Sequence, residues 1–450
     1  MSELVVDPIS AVPEPEVVAP SWNAGTRLAF RFASCYFVLY ALCCGNATVW
    51  GVLLPVVGDF VENWLAWPFA HAAQWLGQHV FHLTGVAAKL HGGGSGDRAL
   101  DWLAVGVMLV VAVVATLVWT ALDRRSTAYP RMFAWFRFLL RLTLGVAMMN
   151  YGLAKVFPLQ MPPPSLAVLN EPFGNLSPMT LLWTMLSVNP LYEMICGAAE
   201  VIGGVLILFR RTALLGALIT AFVVTNVVLY NYFFDVPVKI YASHLLLMAL
   251  VVIVPDVRSL FGYFWTHVPS APGGVWAPVF ARRWANITTV VVEYWVLFVA
   301  CVVGPAFIGY AYFVQMPQAK APVALQGIWH VDSAVLNGQP KPYLTGDGLP
   351  MVDLVMEPSG RTMLRDSSMV LWRGGARVDE KKKTLRIGSV GAEPVVYALS
   401  QPDATHLVLT PTGDKAKSAG VLMLSKTATP AHYPLLERGF HWVNEWGLER

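Results

Sequence analysis

Lys155, Glu193, Glu200, Asp235, Lys239 and His244 lie within or at the ends of strongly apolar stretches of a 450-residue chain. An ionisable group in the middle of a membrane helix costs at least about 2.5–3.5 kcal/mol, so such groups face inward, pair, and mark functional pathways. An ammonium, carboxylates and an imidazole held together supply general acid and base capacity. They can bind and protonate the polar head of a lipophilic molecule, relay protons, or draw an anion from it. Lys155, Glu193, Glu200, Asp235 and His244 are the candidate catalytic groups, and Asn150, Tyr151, Asn226, Tyr230 and Lys239 the candidate ligand- or cofactor-binding ones. Glu193 and Glu200, two helical turns apart, share a face. The expected pairs are Lys155 with Glu193 or Glu200, and Asp235 with Lys239. Asp235, Val236 and Pro237 also make a turn in which Asp235 caps the next helix.

The elements that must carry these groups are membrane helices. The chain is 56% hydrophobic and 13% charged, about half the charge of soluble domains, with a mean hydropathy of +0.54. Runs of about 20 apolar residues fall at residues 32–57, 102–122, 133–157, 191–209, 212–234, 240–255 and 286–313, so about seven spans are expected. Arg124, Arg125 and Arg131, then Arg210 and Arg211, then Arg258, Arg282 and Arg283 occupy alternate loops, while residues 156–209 hold no Lys or Arg. The positive-inside rule puts those basic loops and the N-terminus in the cytoplasm, and everything after residue 313 outside, in the periplasm of a bacterial inner membrane. With that orientation the candidate groups of four consecutive spans converge on the outer third of the bundle. Arg137 and Arg141, at the inner end, are expected to snorkel to the interface or pair with Glu293.

Residues 1–26 lack a basic n-region and a cleavage site, and read as a disordered cytoplasmic tail rather than a removed signal peptide. Residues 27–132 hold two spans, with an amphipathic segment at 62–90, rich in Trp and His, lying along the interface. Its His71, His79 and His82 read as solvated side chains before metal ligands. Residues 158–190, with "QMPPPSLAVLNEPFGNLSP", form a rigid proline-rich lid over the outer face. From residue 323 the period changes: "VDLVMEPSGRTML" and "VVYALSQPDATHLVLTP" are hairpin patterns, predicting a small antiparallel barrel or sandwich at 323–427. Its opening "GIWHV" resembles the G-x-W start of lipocalin-like barrels. The "DEKKK" run at 379–383 reads as a hairpin tip. The five cysteines all lie in apolar stretches without a C-x-x-C pair, which excludes a disulfide scaffold and zinc ribbons. A net charge of +3 and the lack of any recognition motif give no case for nucleic acid.

The stretches "RLTLGVAMMNYGLAKVF" from Arg141, "EMICGAAEVIGGVLIL" from Glu193 and "SHLLLMALVVIVPD" ending at Asp256 resemble the DoxX/DoxD-type family of four-helix membrane proteins. The family's G-x-x-K helix ending matches Gly152 and Lys155, and its E-x-x-G-G opening matches Glu200, Gly203 and Gly204. The resemblance implies a DoxX-like four-helix core at 133–265 and membrane oxidoreductase chemistry with a quinone as acceptor; the apolar run after it makes 286–314 the final span. The tail at 428–450, containing "YPLLERGFHWVNEWGLER", is similar to the end of longer bacterial proteins of this family that carry extra helices and an outer β-domain. In it Arg438, His441, Trp442, Asn444 and Glu445 form an amphipathic segment or fold back to the bundle mouth. The architecture is also similar to the membrane module of vitamin K-dependent carboxylase-like proteins. Three readings stay open: an oxidoreductase working with membrane lipids and a quinone or other isoprenoid lipid; an envelope assembly protein whose polar cluster is structural and whose β-domain binds a periplasmic or membrane protein; and a transporter.

Overall fold

Proline at a first turn, small polar caps and long apolar runs set most helix boundaries here. The computed structural model describes residues 21–44, 48–54, 57–90, 96–267, 282–315, 325–343, 350–358, 362–367, 371–372, 375–379, 381–388, 394–413, 419–430 and 432–437. Most of the 1–26 tail, and Arg438, His441, Trp442, Asn444 and Glu445, lie outside the described residues. Helices α1 Ala24–Cys43, α2 Thr48–Leu53, α3 Gly58–His79, α4 Ala99–Leu122 and α5 Pro130–Val156 come first. Short α6 Leu166–Leu169 and α7 Pro178–Ser187 follow, then α8 Pro190–Leu208, α9 Ala213–Phe233, α10 Lys239–Ile253 and α11 Val257–Phe261. The helical part closes with α12 Arg283–Phe298 and α13 Gly304–Tyr310.

Among the described residues six helices are long and apolar enough to cross a membrane: Ala99–Leu122, Pro130–Val156, Pro190–Leu208, Ala213–Phe233, Lys239–Thr266 and Asn286–Val314. The expected first span, at 32–57, is not among them. Its helix α1 starts eight residues earlier, carries Arg27 and Arg31, and is capped at Cys44. The Gly45-Asn46 pair in the sequence interrupts the apolar run there. The expected sixth span gains length instead, continuing through a turn at Val254–Asp256 into α11. The amphipathic segment is largely α3, with Phe60, Trp64, Trp67 and Trp75 exposed.

The chain divides into two compact units. One comprises Met1–Val146, Ile207–Ala217 and Leu247–Val296. Its α1 packs along α4, Phe30 packs on Trp119, Tyr129 and Phe133, and the buried Arg31 lies over the Trp119 and Tyr129 rings. Arg31 donates to Thr120 Oγ1 at 3.0 Å and to the Asp123 carbonyl at 2.6 Å. The hydroxyls of Ser126 and Tyr129 hold the Asp123 carboxyl down at about 2. Farther along α5, Arg137 and Arg141 are buried rather than snorkelling, at 0% and 2% exposure. Arg137 pairs with Asp256 at 3.0 Å, not with Glu293. Arg141 bonds the carbonyls of Ile207 and Leu208 and lies 3.7 Å from Glu293, which Arg210 also binds at 2.6 Å.

The other unit comprises Ala147–Leu206, Leu218–Leu246 and Leu297–Arg450. Among the described residues its C-terminal part is one ten-stranded antiparallel sheet, a half-barrel rather than a two-sheet sandwich. The strands are β1 Gly327–Leu336, β2 Gln339–Pro340, β3 Met351–Met356, β4 Thr362–Asp366, β5 Leu371–Trp372, β6 Gly375–Asp379, β7 Thr384–Gly388, β8 Val395–Ser400, β9 His406–Thr412 and β10 Val421–Thr427. Their order is β5-β4-β3-β1-β10-β9-β8-β7-β6, with β2 folded back on β1. First and last long strands therefore pair, bringing Trp329 opposite Lys426. Period-2 alternation fills the concave side: Trp329, Leu354, Leu385, Tyr397, Leu407 and Leu422 are wholly buried. Gly327 has a φ of +136°, a conformation that side-chain-bearing residues rarely adopt, so the glycine of the G-x-W opening is a backbone requirement. Asp379 accepts the Lys382 amide at 3.1 Å in the β6–β7 connection, as expected of a hairpin tip.

Candidate functional site

The site grows from a crossing of two glycines. A β-carbon on Gly152 of α5 would lie 2.8 Å from the Gly197 carbonyl oxygen, and one on Gly197 of α8 would lie 2.6 Å from the Gly152 oxygen. Only glycines let the backbones approach so closely. Gly152 faces Val201 while Gly197 faces Lys155 and Val156, so the helices run antiparallel. Helical side chains lean toward their own N-terminus. In an antiparallel pair that tilt turns Lys155 and Glu200 toward each other, and Lys155 Nζ sits 2.5 Å and 2.7 Å from the two Glu200 oxygens. Both are buried, at 4% and 2% exposure. Gly203, farther along α8, presses against Thr220 of α9 in the same manner, at 2.9 Å. Gly197 was the signal missed in the sequence; Gly152, Lys155, Glu200 and Gly203 were not.

Glu193, two turns before Glu200, is 1% exposed. Its Oε1 accepts the backbone N–H of Met161, in the lid, at 3.1 Å. Its Oε2 is buried with no hydrogen-bond partner among the described residues. It stands two helical turns from Glu200, the residue that holds the Lys155 ammonium. Tyr230 of α9 packs against the cluster of Met161, Leu182, Leu186 and Val236 in the lid and the α9–α10 turn.

The remaining candidates are placed otherwise. Asn150 and Asn226 are exposed on their helices, away from the ion pair. Tyr151 stacks obliquely on Tyr241, centroids 5.8 Å apart. Asp235 pairs with Lys239 at 2.8 Å as expected, but its carboxylate is 83% exposed. Its φ of +52° marks it as a turn residue, and Asn231 closes the same turn on the Val238 carbonyl at 3.2 Å. His244 is buried, with Nδ1 on the Ile240 carbonyl of its own helix at 2.7 Å. Asp235 and Lys239 thus form a rim turn, while Lys155, Glu193, Glu200 and Tyr230 form the interior cluster. On α3, His71 and His79 each bond a carbonyl one turn back and pack on Trp67 and Trp75, so they do not converge.

These observations define a mostly helical protein, compatible with a multi-pass membrane protein in its six long apolar helices among the described residues, with a C-terminal antiparallel half-barrel and a buried Lys–Glu pair between two close-packed helices. The chain belongs to the same family as YwoB of Bacillus subtilis (strain 168), an uncharacterized protein to which it is 35% identical over 133 residues, 28% of this chain and 79% of that one. No family profile matches the chain, and no solved structure does.

Proposed function

We propose that the protein is a DoxX/DoxD-like inner-membrane oxidoreductase whose interior cluster binds the polar head of a quinone at the outer leaflet. The carrying observation is the orphaned Glu193 Oε2, two helical turns along α8 from the Lys155–Glu200 pair. A buried carboxyl with an unused oxygen is costly unless a proton or a ligand donor completes it. A hydroquinone hydroxyl is such a donor, and the Lys155 ammonium is a donor for a quinone carbonyl. A bound quinone would supply the two-electron, two-proton redox chemistry. In this reading Lys155 orients the head, Glu200 fixes Lys155, Glu193 holds or releases a proton at Oε2, and Tyr230 closes the side of the site. The basic loops face the cytoplasm and the half-barrel the periplasm, where a small electron donor arrives.

The test is a lipid extract of the protein purified in mild detergent, analysed by mass spectrometry. Near one quinone per chain in the wild type, lost in Glu193→Gln without loss of thermal stability, supports the reading. Bulk phospholipid alone in both rejects it. A second reading, an envelope assembly protein, is favoured by one observation: the Arg365–Glu171 ion pair at 2.7 Å ties the half-barrel to the lid. Specific capture of one envelope protein by the full-length chain, with no quinone in the extract, would establish it instead.

A further inference from the structure

The half-barrel and the interior cluster are joined by a stiff connection. Glu357, in the residue following β3, accepts the amides of Leu166 at 3.1 Å and Ala167 at 3.3 Å, the first residues of α6. Arg365 of β4 binds Glu171 at 2.7 Å, and its other terminal nitrogen lies 3.4 Å from Asp353. Asn170 donates to the Tyr433 hydroxyl at 2.8 Å, and Ala167 is sealed among Ile328, Val355 and Met363. Glu357 and Arg365 are 6% and 7% exposed, so this clasp is a desolvated, charge-assisted one.

Between the clasp and Glu193 stand Pro162, Pro163 and Pro164. Consecutive prolines fix φ and extend at about 3.1 Å per residue, a semi-rigid spacer. At the far end of that spacer is Met161, whose N–H binds Glu193 Oε1. A shift of α6 on the half-barrel is therefore passed to Met161 rather than absorbed.

We propose that Glu357 and Arg365 are positioning residues for the interior cluster, holding the Met161 amide on Glu193 through the triple-proline strut. The half-barrel thereby sets how Glu193 is presented, and a molecule that competes for the clasp would loosen the lid and open the site. The inference rests on the cluster being the working site. It is tested by amide exchange in the full-length protein in detergent, read without quinone, so failure here and an empty lipid extract are separate results. A peptide over residues 159–165 reports few amides, because three of its residues are prolines. Glu357→Ala should speed exchange of α6 and of Met161 together by about tenfold. Glu357→Gln, which keeps one acceptor oxygen, should restore most of the protection, and exchange in α4 should not change. If α6 loosens while Met161 exchanges at the wild-type rate, the strut does not transmit and the proposal fails. Should Glu357→Ala not fold, Glu171→Gln, which removes the charge that Arg365 binds and keeps an oxygen for Asn175, must produce the same joint loosening to a smaller degree; no change at Met161 would overturn the proposal equally.

Discussion

Replacing Lys155 with Met removes an ammonium that is 4% exposed and lies 2.5 Å from a carboxylate that is 2% exposed. The methionine fills nearly the same volume, so packing against Gly197 is kept. What is lost is the partner of a charge that stays buried, and breaking such a pair costs about 3–5 kcal/mol. Glu200→Leu should cost a similar amount for the mirrored reason. The double variant, Lys155→Met with Glu200→Leu, leaves neither charge and should return close to wild-type stability, because an apolar replacement of a buried pair is often neutral or better. The coupling in the cycle should therefore be at least about 3 kcal/mol in favour of the double variant. Equilibrium unfolding in mixed micelles of rising SDS fraction, followed by tryptophan fluorescence, measures it. Additive losses in the double variant would refute the reasoning, since they would mean that the two side chains do not depend on each other for burial.

Gly197→Val should destabilise by about 1–3 kcal/mol or more, because its β-carbon meets the Gly152 oxygen and the Lys155 β-carbon at 2.6 Å. Gly106→Ala on α4, with nothing within 4 Å of its added carbon, is the matched control and should be neutral or stabilising in the same assay. Asp235→Asn should change stability by no more than about 0.5 kcal/mol, since the carboxylate it removes is 83% exposed. Asp235→Val should do measurably worse, because a β-branched residue is strained at a φ of +52°; equal effects of the two would contradict this. In the β8–β9 turn, the Thr405 hydroxyl and amide together with His406 hold the Asp403 carboxyl below its usual range. A depressed folded value means the turn's stabilisation is present above the unfolded value and lost as pH falls. Amide protection at Thr405 and His406 should decline progressively below about pH 4, whereas pH-independent protection would remove that carboxylate as the cause.

What was legible in the sequence was whatever depended on helical phase. Lys155 follows Gly152 by one turn, and Glu200 precedes Gly203 by one turn, so their meeting needed only that the two helices be neighbours. Arg137 and Arg141 read as snorkelling side chains or partners of Glu293, which holds in part for Arg141, whereas the acid that pairs with Arg137, Asp256, lies just past Pro255, where the apolar run ends. The structure carries the chain through a tighter turn and keeps Asp256 within reach. Asn150 and Asn226 share helices with the cluster but not its face, and depth along the membrane normal does not reveal that. Glu193's partner is a backbone amide of the lid, and the clasp on Arg365 spans 194 residues; neither leaves a local pattern. The strands were readable from alternation and turn residues, but the choice between barrel, sandwich and half-barrel depends on the pairing of β1 with β10, which no hairpin signal encodes.

The most direct test of the proposed role remains the chemical identity of what the interior cluster holds. Protein purified in mild detergent should yield about one quinone per chain in its denatured extract, and Glu193→Gln should yield none while unfolding at the wild-type temperature. An extract containing only phospholipid, from a protein whose Lys155–Glu200 coupling is intact, would contradict the redox role and leave the cluster as the lock between α5 and α8.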